Sequence, residues 1–149
     1  MNKVIAPFLF LLFFVACRDK KDESGLSDSN LDAARNFIRN ALDGKFAAAR
    51  NYMLTDSVNE NYMDVAERSY QKAEPEIKNG YRNASILIHR TDELNDSTAV
   101  IIFSNSYKND HDTLLVVKKD KRWQVDLKYL YQHDEDTIYS KPALNDTIK

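Results

Sequence analysis

With 149 residues the chain has the length of one domain, and 21 Lys and Arg against 23 Asp and Glu give it a net charge of −2. That balance lacks the basic excess needed to neutralise a phosphate backbone and speaks against a nucleic-acid partner. The single cysteine excludes an intramolecular disulfide and a thiolate-rich zinc site.

The chain opens on one positive charge, Lys3, followed by the uncharged run Val4 to Ala16, VIAPFLFLLFFVA. Thirteen residues at 1.5 Å each reach about 20 Å, short of the roughly 30 Å hydrocarbon core, so the run fits a signal peptide over residues 1–16 better than a transmembrane helix. Directly after it stands Cys17, and then the fully polar RDKKDES. The segment Phe14-Val15-Ala16-Cys17 resembles the bacterial lipobox, with small Ala16 before the cut and Phe14 in place of the usual aliphatic. The resemblance implies cleavage before Cys17 and a thioether-linked diacylglycerol on it. Each buried methylene contributes about 0.8 kcal/mol, so two or more acyl chains would hold the protein stably to a membrane. By the same analogy, Arg18, where inner-membrane lipoproteins often carry Asp, points to the outer membrane. Lys21-Asp22-Glu23 resembles a signal for export to the cell surface. The other reading of Cys17 is a buried thiol in an ordinary signal sequence or core helix.

Residues 17–29, the lipidated Cys17 and RDKKDESGLSDS, read as a tether spanning about 20 Å as a flexible coil. A helix then follows, capped by Ser29 or Asn30, with Leu31, Ala34, Phe37, Ile38, Ala41 and Leu42 at three- and four-residue steps and Gly44 as its stop. A second short helix puts Phe46, Ala49, Tyr52 and Met53 on one face. A third is predicted from about Ser57 to Tyr70, capped by Thr55 or Asp56, with Val58, Tyr62, Val65 and Ala66 as its apolar stripe. Pro75 and the pair Asn79-Gly80 are expected to break the helical region.

The period then changes to two. Ala84, Ile86 and Ile88 alternate with Ser85, Leu87 and His89, and Asn95-Asp96 makes a turn. STAVIIFSNSY, residues 97–107, is a second strand rich in β-branched residues. Lys108 to Asp110 is another turn, and DTLLVVK, residues 112–118, is the third strand. After a tight turn at Asp120, Trp123, Val125, Leu127 and Tyr129 alternate with Arg122, Gln124, Asp126 and Lys128. Connections this short predict an antiparallel meander. The folded domain is placed at residues 30–131, and residues 132–149 are a polar tail without a sustained apolar period.

Helices followed by a four-stranded meander give an α+β class. Two local motifs carry a closer likeness, the Asp43-Gly44-Lys45-Phe46 step between the first helices and Lys121-Arg122-Trp123-Gln124-Val125 in the last strand. Through them, residues 30–129 resemble the nuclear-transport-factor-2-like, cystatin-like superfamily, and more narrowly small envelope lipoproteins of that fold whose domain has no assigned function. The resemblance implies N-terminal helices packed on a curved, cone-like antiparallel sheet of about four strands. Enzymes of the superfamily keep an acid, a base and tyrosines in that cone. No such set can be matched here residue by residue, and Asp126, alternating away from the Trp123 face, is expected to point to solvent.

The candidate sites are accordingly few. His89, His111 and His133 lie far apart without metal-ligand spacing, and the acidic run from His133 to Asp136 lacks the glycine and spacing of a calcium loop. No catalytic, metal or cofactor residues are assigned. Phe37, Tyr52, Tyr107 and Trp123, together with Tyr62 and Phe103, either line a pocket or fill the core. Five steps of Asp, then Ser or Thr, then a small or aliphatic residue place Ser57, Ser97, Thr113, Thr137 and Thr147 in a pattern that resembles an O-glycosylation signal of some Gram-negative envelopes; Asp-Ser and Asp-Thr also mark caps and turns. The expected function is a non-catalytic binding or interaction module, anchored to the membrane through lipid on Cys17 and facing an envelope protein or a small apolar ligand. The alternative is a small-molecule-binding cavity protein or an isomerase- or dehydratase-like enzyme of the same fold.

Overall fold

The computed structural model describes residue 27 and residues 29–132. The apolar leader, Cys17, nearly all of the tether and the tail with His133, Thr137 and Thr147 lie outside the described residues. The element order is α1 (Asn30–Leu42), α2 (Phe46–Ala49) continued by a 3₁₀ turn (Arg50–Tyr52), α3 (Ser57–Lys72), α4 (Pro75–Asn83), β1 (Ile86–Asn95), β2 (Thr98–Asn105), β3 (Asp112–Lys119), β4 (Arg122–Asp126) and α5 (Lys128–Gln132).

Local chemistry sets the helix ends. The Ser29 hydroxyl accepts the Asp32 N–H at 3.1 Å and donates to the Asp32 carboxylate at 2.8 Å, which satisfies the first turn of α1. Gly44 ends that helix with φ 76°, and a Cβ there would run into the Tyr70 ring. Asp56 caps α3, accepting the N–H groups of Val58 and Asn59 at 3.0 Å each.

Two sequence expectations fail among the helices. Pro75 does not end the helical region; it stands at the first position of α4, where its missing N–H has no helical partner to lose. Asn79-Gly80 lies inside that helix, and Gly80 is where the Tyr107 ring packs so closely that a Cβ would collide with it. The inward face of α3 is also rotated from the predicted stripe. Asn59 and Met63 are buried, while Val58 and Val65 are 41% and 47% exposed.

The sheet is an antiparallel meander in the order β1-β2-β3-β4. Registers such as Ile101↔Leu114 and Val116↔Val125 line up one apolar face. Against it lies α1 with Ala33, Ala34, Phe37 and Ile38, and the shared core includes Met53, Met63, Ile101, Phe103, Leu114, Val116, Trp123, Val125 and Leu127. Full burial of a side chain such as Met63 or Ile101 stabilises by about 1.5–3 kcal/mol, so this layer holds the domain together. Val100 and Ile102 on the other face are also buried, flanked by Asp92 and Leu115 and by Arg90 and Thr113 respectively. The edge of β4 is covered by the chain after the 3₁₀ turn: Met53 bridges Val125 in parallel, and Leu54 N–H donates to the Val125 carbonyl at 2.9 Å.

The strand expectations hold with three differences, the first being that β2, predicted over residues 97–107, is Thr98–Asn105 and leaves Ser106 and Tyr107 to the loop. β1 runs on through Glu93 and Leu94 to Asn95, with an irregularity at His89. β4 stops at Asp126, and Tyr129, predicted to continue its alternation, lies in α5. The tight turn at Asp120 extends to Lys121, with φ of 51° and 65°, a pair of left-handed residues that suits a two-residue hairpin.

Candidate functional site

The last two turns of α1 carry Phe37, Ile38, Ala41 and Leu42. Phe37 and Ile38 belong to the core, and with the partly buried Ala41 and Leu42 at its edge they form the wall of an apolar groove. Arg39, on the same helix, docks α4 beside that wall: its guanidinium donates to the carbonyls of Ala84 at 2.7 Å and of Tyr81 and Arg82 at 3.2 Å, and pairs with Asp43 at 2.8 Å. These donors satisfy the carbonyls at the C-terminal end of α4, where a cation is favourable.

The third wall is the loop between β2 and β3. The Asn105 side chain accepts the N–H groups of Tyr107 at 3.1 Å and Lys108 at 3.0 Å, and Asn109, at φ 60°, donates to the Asn105 carbonyl at 2.8 Å. This winds the loop so that Tyr107 lies over Gly80 and meets Tyr81 edge to face, with ring centroids 5.1 Å apart. Phe46 and Tyr70 form a second edge-to-face pair at 5.5 Å, and the Tyr70 hydroxyl donates to the Leu42 carbonyl at 3.4 Å.

These elements enclose two adjoining hollows. The smaller, about 300 Å³, is lined by Phe37, Ile38, Ala41, Leu42, Tyr81, Phe103, Asn105, Lys108, Asp110 and Asp112. The larger, about 440 Å³, is lined by Ala41, Leu42, Phe46, Ala66, Ser69, Tyr70, Ala73, Ile77, Tyr81, Tyr107 and Lys108. Ala41, Leu42, Tyr81 and Lys108 belong to both, so the hollows are lobes of one groove. Both volumes fall in the range of small-ligand sites. Asp112 is an exposed residue whose carboxyl is raised above its ordinary value by crowding from the surrounding protein, with Asp110 adding to the effect and His111 opposing it.

A contrasting cluster sits on the β4 side. Asn59 is wholly buried; its amide donates to Asp56 at 2.8 Å and Asp126 at 3.3 Å, and its carbonyl accepts the Leu127 N–H at 2.7 Å. The Lys128 ammonium joins Asp56 at 3.0 Å and Asp126 at 3.6 Å. Hydrogen bonds from the Asn59 backbone and from Lys128 hold the Asp56 carboxyl well below the usual range, and Asp56 in turn raises Lys128. Asp126 is thus tied to Asn59 and Lys128 and does not simply point to solvent, because its partners come from α3 and α5.

Of the aromatics singled out in the sequence, Phe37 and Phe103 line the smaller lobe and Tyr107 the larger. Trp123 is core, 8% exposed, with the Lys118 ammonium 5.7 Å from its ring centroid, and Tyr52 and Tyr62 pack partly buried against the core. The fold stacks His89 on His111 at 4.1 Å, although they are far apart in sequence, and His89 Nε2 shares a hydrogen bond of 2.8 Å with the Ser104 hydroxyl. No group of three or more His, Cys, Asp and Glu able to hold a metal occurs among the described residues. Ser57 is exposed at the first position of α3, and Ser97 is exposed in the β1–β2 turn, donating to Asn95 at 2.9 Å. Thr113 is half-buried in β3.

Sequence reasoning missed Leu42's partners in the groove: Tyr70, Ile77, Tyr81 and Lys108. A signal was present, since Ile77, Gly80, Tyr81 and Ala84 recur at helical steps, and it was overridden by reading Pro75 and Gly80 as breaks. No helix among the described residues is long and apolar enough to cross a membrane. No protein-family profile, curated protein or solved structure matches the chain.

Proposed function

We propose that the chain is a lipid-anchored protein of the bacterial cell envelope, of the outer membrane on its periplasmic side or at the cell surface, whose domain is a non-catalytic binding module of the nuclear-transport-factor-2-like, cystatin-like kind. The observation that carries the binding reading is the groove between α1, α3, α4 and the β2–β3 loop, with its aromatic walls and two connected lobes. Support for the anchor is the lone Cys17 at the end of an apolar run, directly ahead of a charged tether. Support for the fold kind is the order of helices before a four-stranded antiparallel meander.

The anchor is tested by Cys17→Ser in the native host with detergent-phase partitioning. The expected result is uncleaved precursor and loss of the acylated form; a protein still cut at the same site and still membrane-bound removes the reading. The binding reading is tested by mass spectrometry of natively purified protein, where a bound small molecule or partner is expected. A second reading, a cavity enzyme, is favoured by one observation: Asp112, with its raised carboxyl, lines the smaller lobe beside Tyr81 and Asn105. In that case Asp112→Asn traps a ligand that the unaltered protein turns over and releases; identical ligand content in both proteins decides for the binding module.

A further inference from the structure

We propose that the larger lobe takes a small amphipathic carboxylate, an apolar body bearing a single acid group, with the acid seated on Lys108. The inference rests on the binding reading above and adds the chemical class of the ligand. At the roughly 30 Å³ that one water molecule occupies in the liquid, a lobe of about 440 Å³ has room for about fifteen non-hydrogen atoms. Its walls are apolar or aromatic bodies, with Phe46, Tyr70 and Ile77 among them, and Lys108 is the sole charged residue in its lining.

The ammonium of Lys108 makes no ion pair with a carboxylate among the described residues; only its backbone N–H is engaged, by Asn105. Asp110 and Asp112 line the smaller lobe and are not in the lining of the larger. Lys108 therefore stands exposed at a boundary, with acidic residues in the lining of one lobe and an apolar wall in the other. A neutral apolar ligand would leave that cation without a partner. A cationic ligand would be repelled by it and drawn toward the acidic lobe. A carboxylate with an apolar tail satisfies both the charge and the wall. The rings of Tyr81 and Tyr107 in the same lining add to the wall that an apolar body would meet.

The test uses the chain from residue 17 onward bearing Cys17→Ser, so that no detergent competes, with octanoate and 1-octanol as matched ligands at pH 7.4. Saturable NMR shifts of the Ile77 methyl report occupancy. Octanoate is expected to bind about fivefold more tightly than octanol, the scale of a partly exposed ion pair. Lys108→Gln removes that advantage, bringing octanoate to the level of octanol in the same variant, and Ala66→Phe, which fills the lobe, abolishes both. Equal affinities in the parent protein, or an advantage that survives Lys108→Gln, overturn the carboxylate assignment while the apolar groove stands as a binding site. Binding unaffected by Ala66→Phe overturns the location. Binding of neither ligand overturns this inference and counts against the groove as a small-molecule site.

Discussion

The two ends of α3 meet the rest of the molecule in opposite ways. At its start, Asp56 and Asn59 are bound into a closed polar knot with Asp126, Leu127 and Lys128, in which each amide and carboxylate has named partners. Toward its end, Ala66, Ser69 and Tyr70 form one side of the groove, where apolar surface is left uncovered and Lys108 has no carboxylate partner among the described residues. A buried polar group is stable only when its hydrogen bonds are complete, so the first end locks. At the second end the apolar wall stays open beside a cation with no carboxylate partner among the described residues, and the proposed binding reading rests on that end. Location in one helix does not make two sites equivalent; the partners do.

The comparison is broken most severely by Asn59→Ala. That change leaves the Leu127 N–H buried without an acceptor and is expected to destabilise by about 1–3 kcal/mol in chemical denaturation. A loss no larger than that of Ser69→Ala in the groove would remove the distinction between the two ends. Asp56→Asn sharpens it through pH. The Asp56 carboxyl lies below its ordinary 3.8, so its contribution is fully present above about pH 4 and fades as pH falls toward the folded value. The variant is expected to show a flatter loss of stability below about pH 4, and an acid-unfolding curve superimposable on the parent's would rule this out.

Smaller effects belong to the groove. Gly80→Ala improves helix propensity by up to about 1 kcal/mol but forces the Tyr107 ring off α4. Stability is expected to change little while the Tyr81–Tyr107 ring contact disappears from NMR spectra; an intact contact would show that the close packing at Gly80 does not set the loop. Smallest of all is Lys108→Gln, expected to stay within about 0.5 kcal/mol of the parent in thermal unfolding, because the residue is exposed and its ammonium has no carboxylate partner among the described residues. A clear destabilisation would assign Lys108 to the scaffold.

What could be read in the sequence was whatever depends on near neighbours. The α1 stripe with its Ser29 cap and Gly44 stop, and the alternation of Trp123 and Val125, are local patterns, and the structure keeps them. The inward face of α3 is not local. Its buried Asn59 makes sense only beside Leu127 and Asp126, 68 and 67 residues away, so the apolar Val58 and Val65 were the more persuasive choice and the wrong one. Pro75 misled for a different reason: the same residue that breaks a helix also begins one. That reading hides the α4 wall of the groove, since Ile77 and Tyr81 line it from a helix over residues 75–83. Phe37 and Phe103 belong to the core and border the groove at once, a double placement that no spacing rule encodes.

One helix joins the beginning of the described domain to the wall of the groove. Ser29 opens α1, and Ala41 and Leu42 near its other end touch both lobes. Thirteen residues of α-helix make a stiff rod about 20 Å long. Wholly buried Ala33 and Ala34 seat that rod in the core, and Arg39 docks the carbonyls of α4 onto it, so the seating of one helix fixes where two walls of the groove stand.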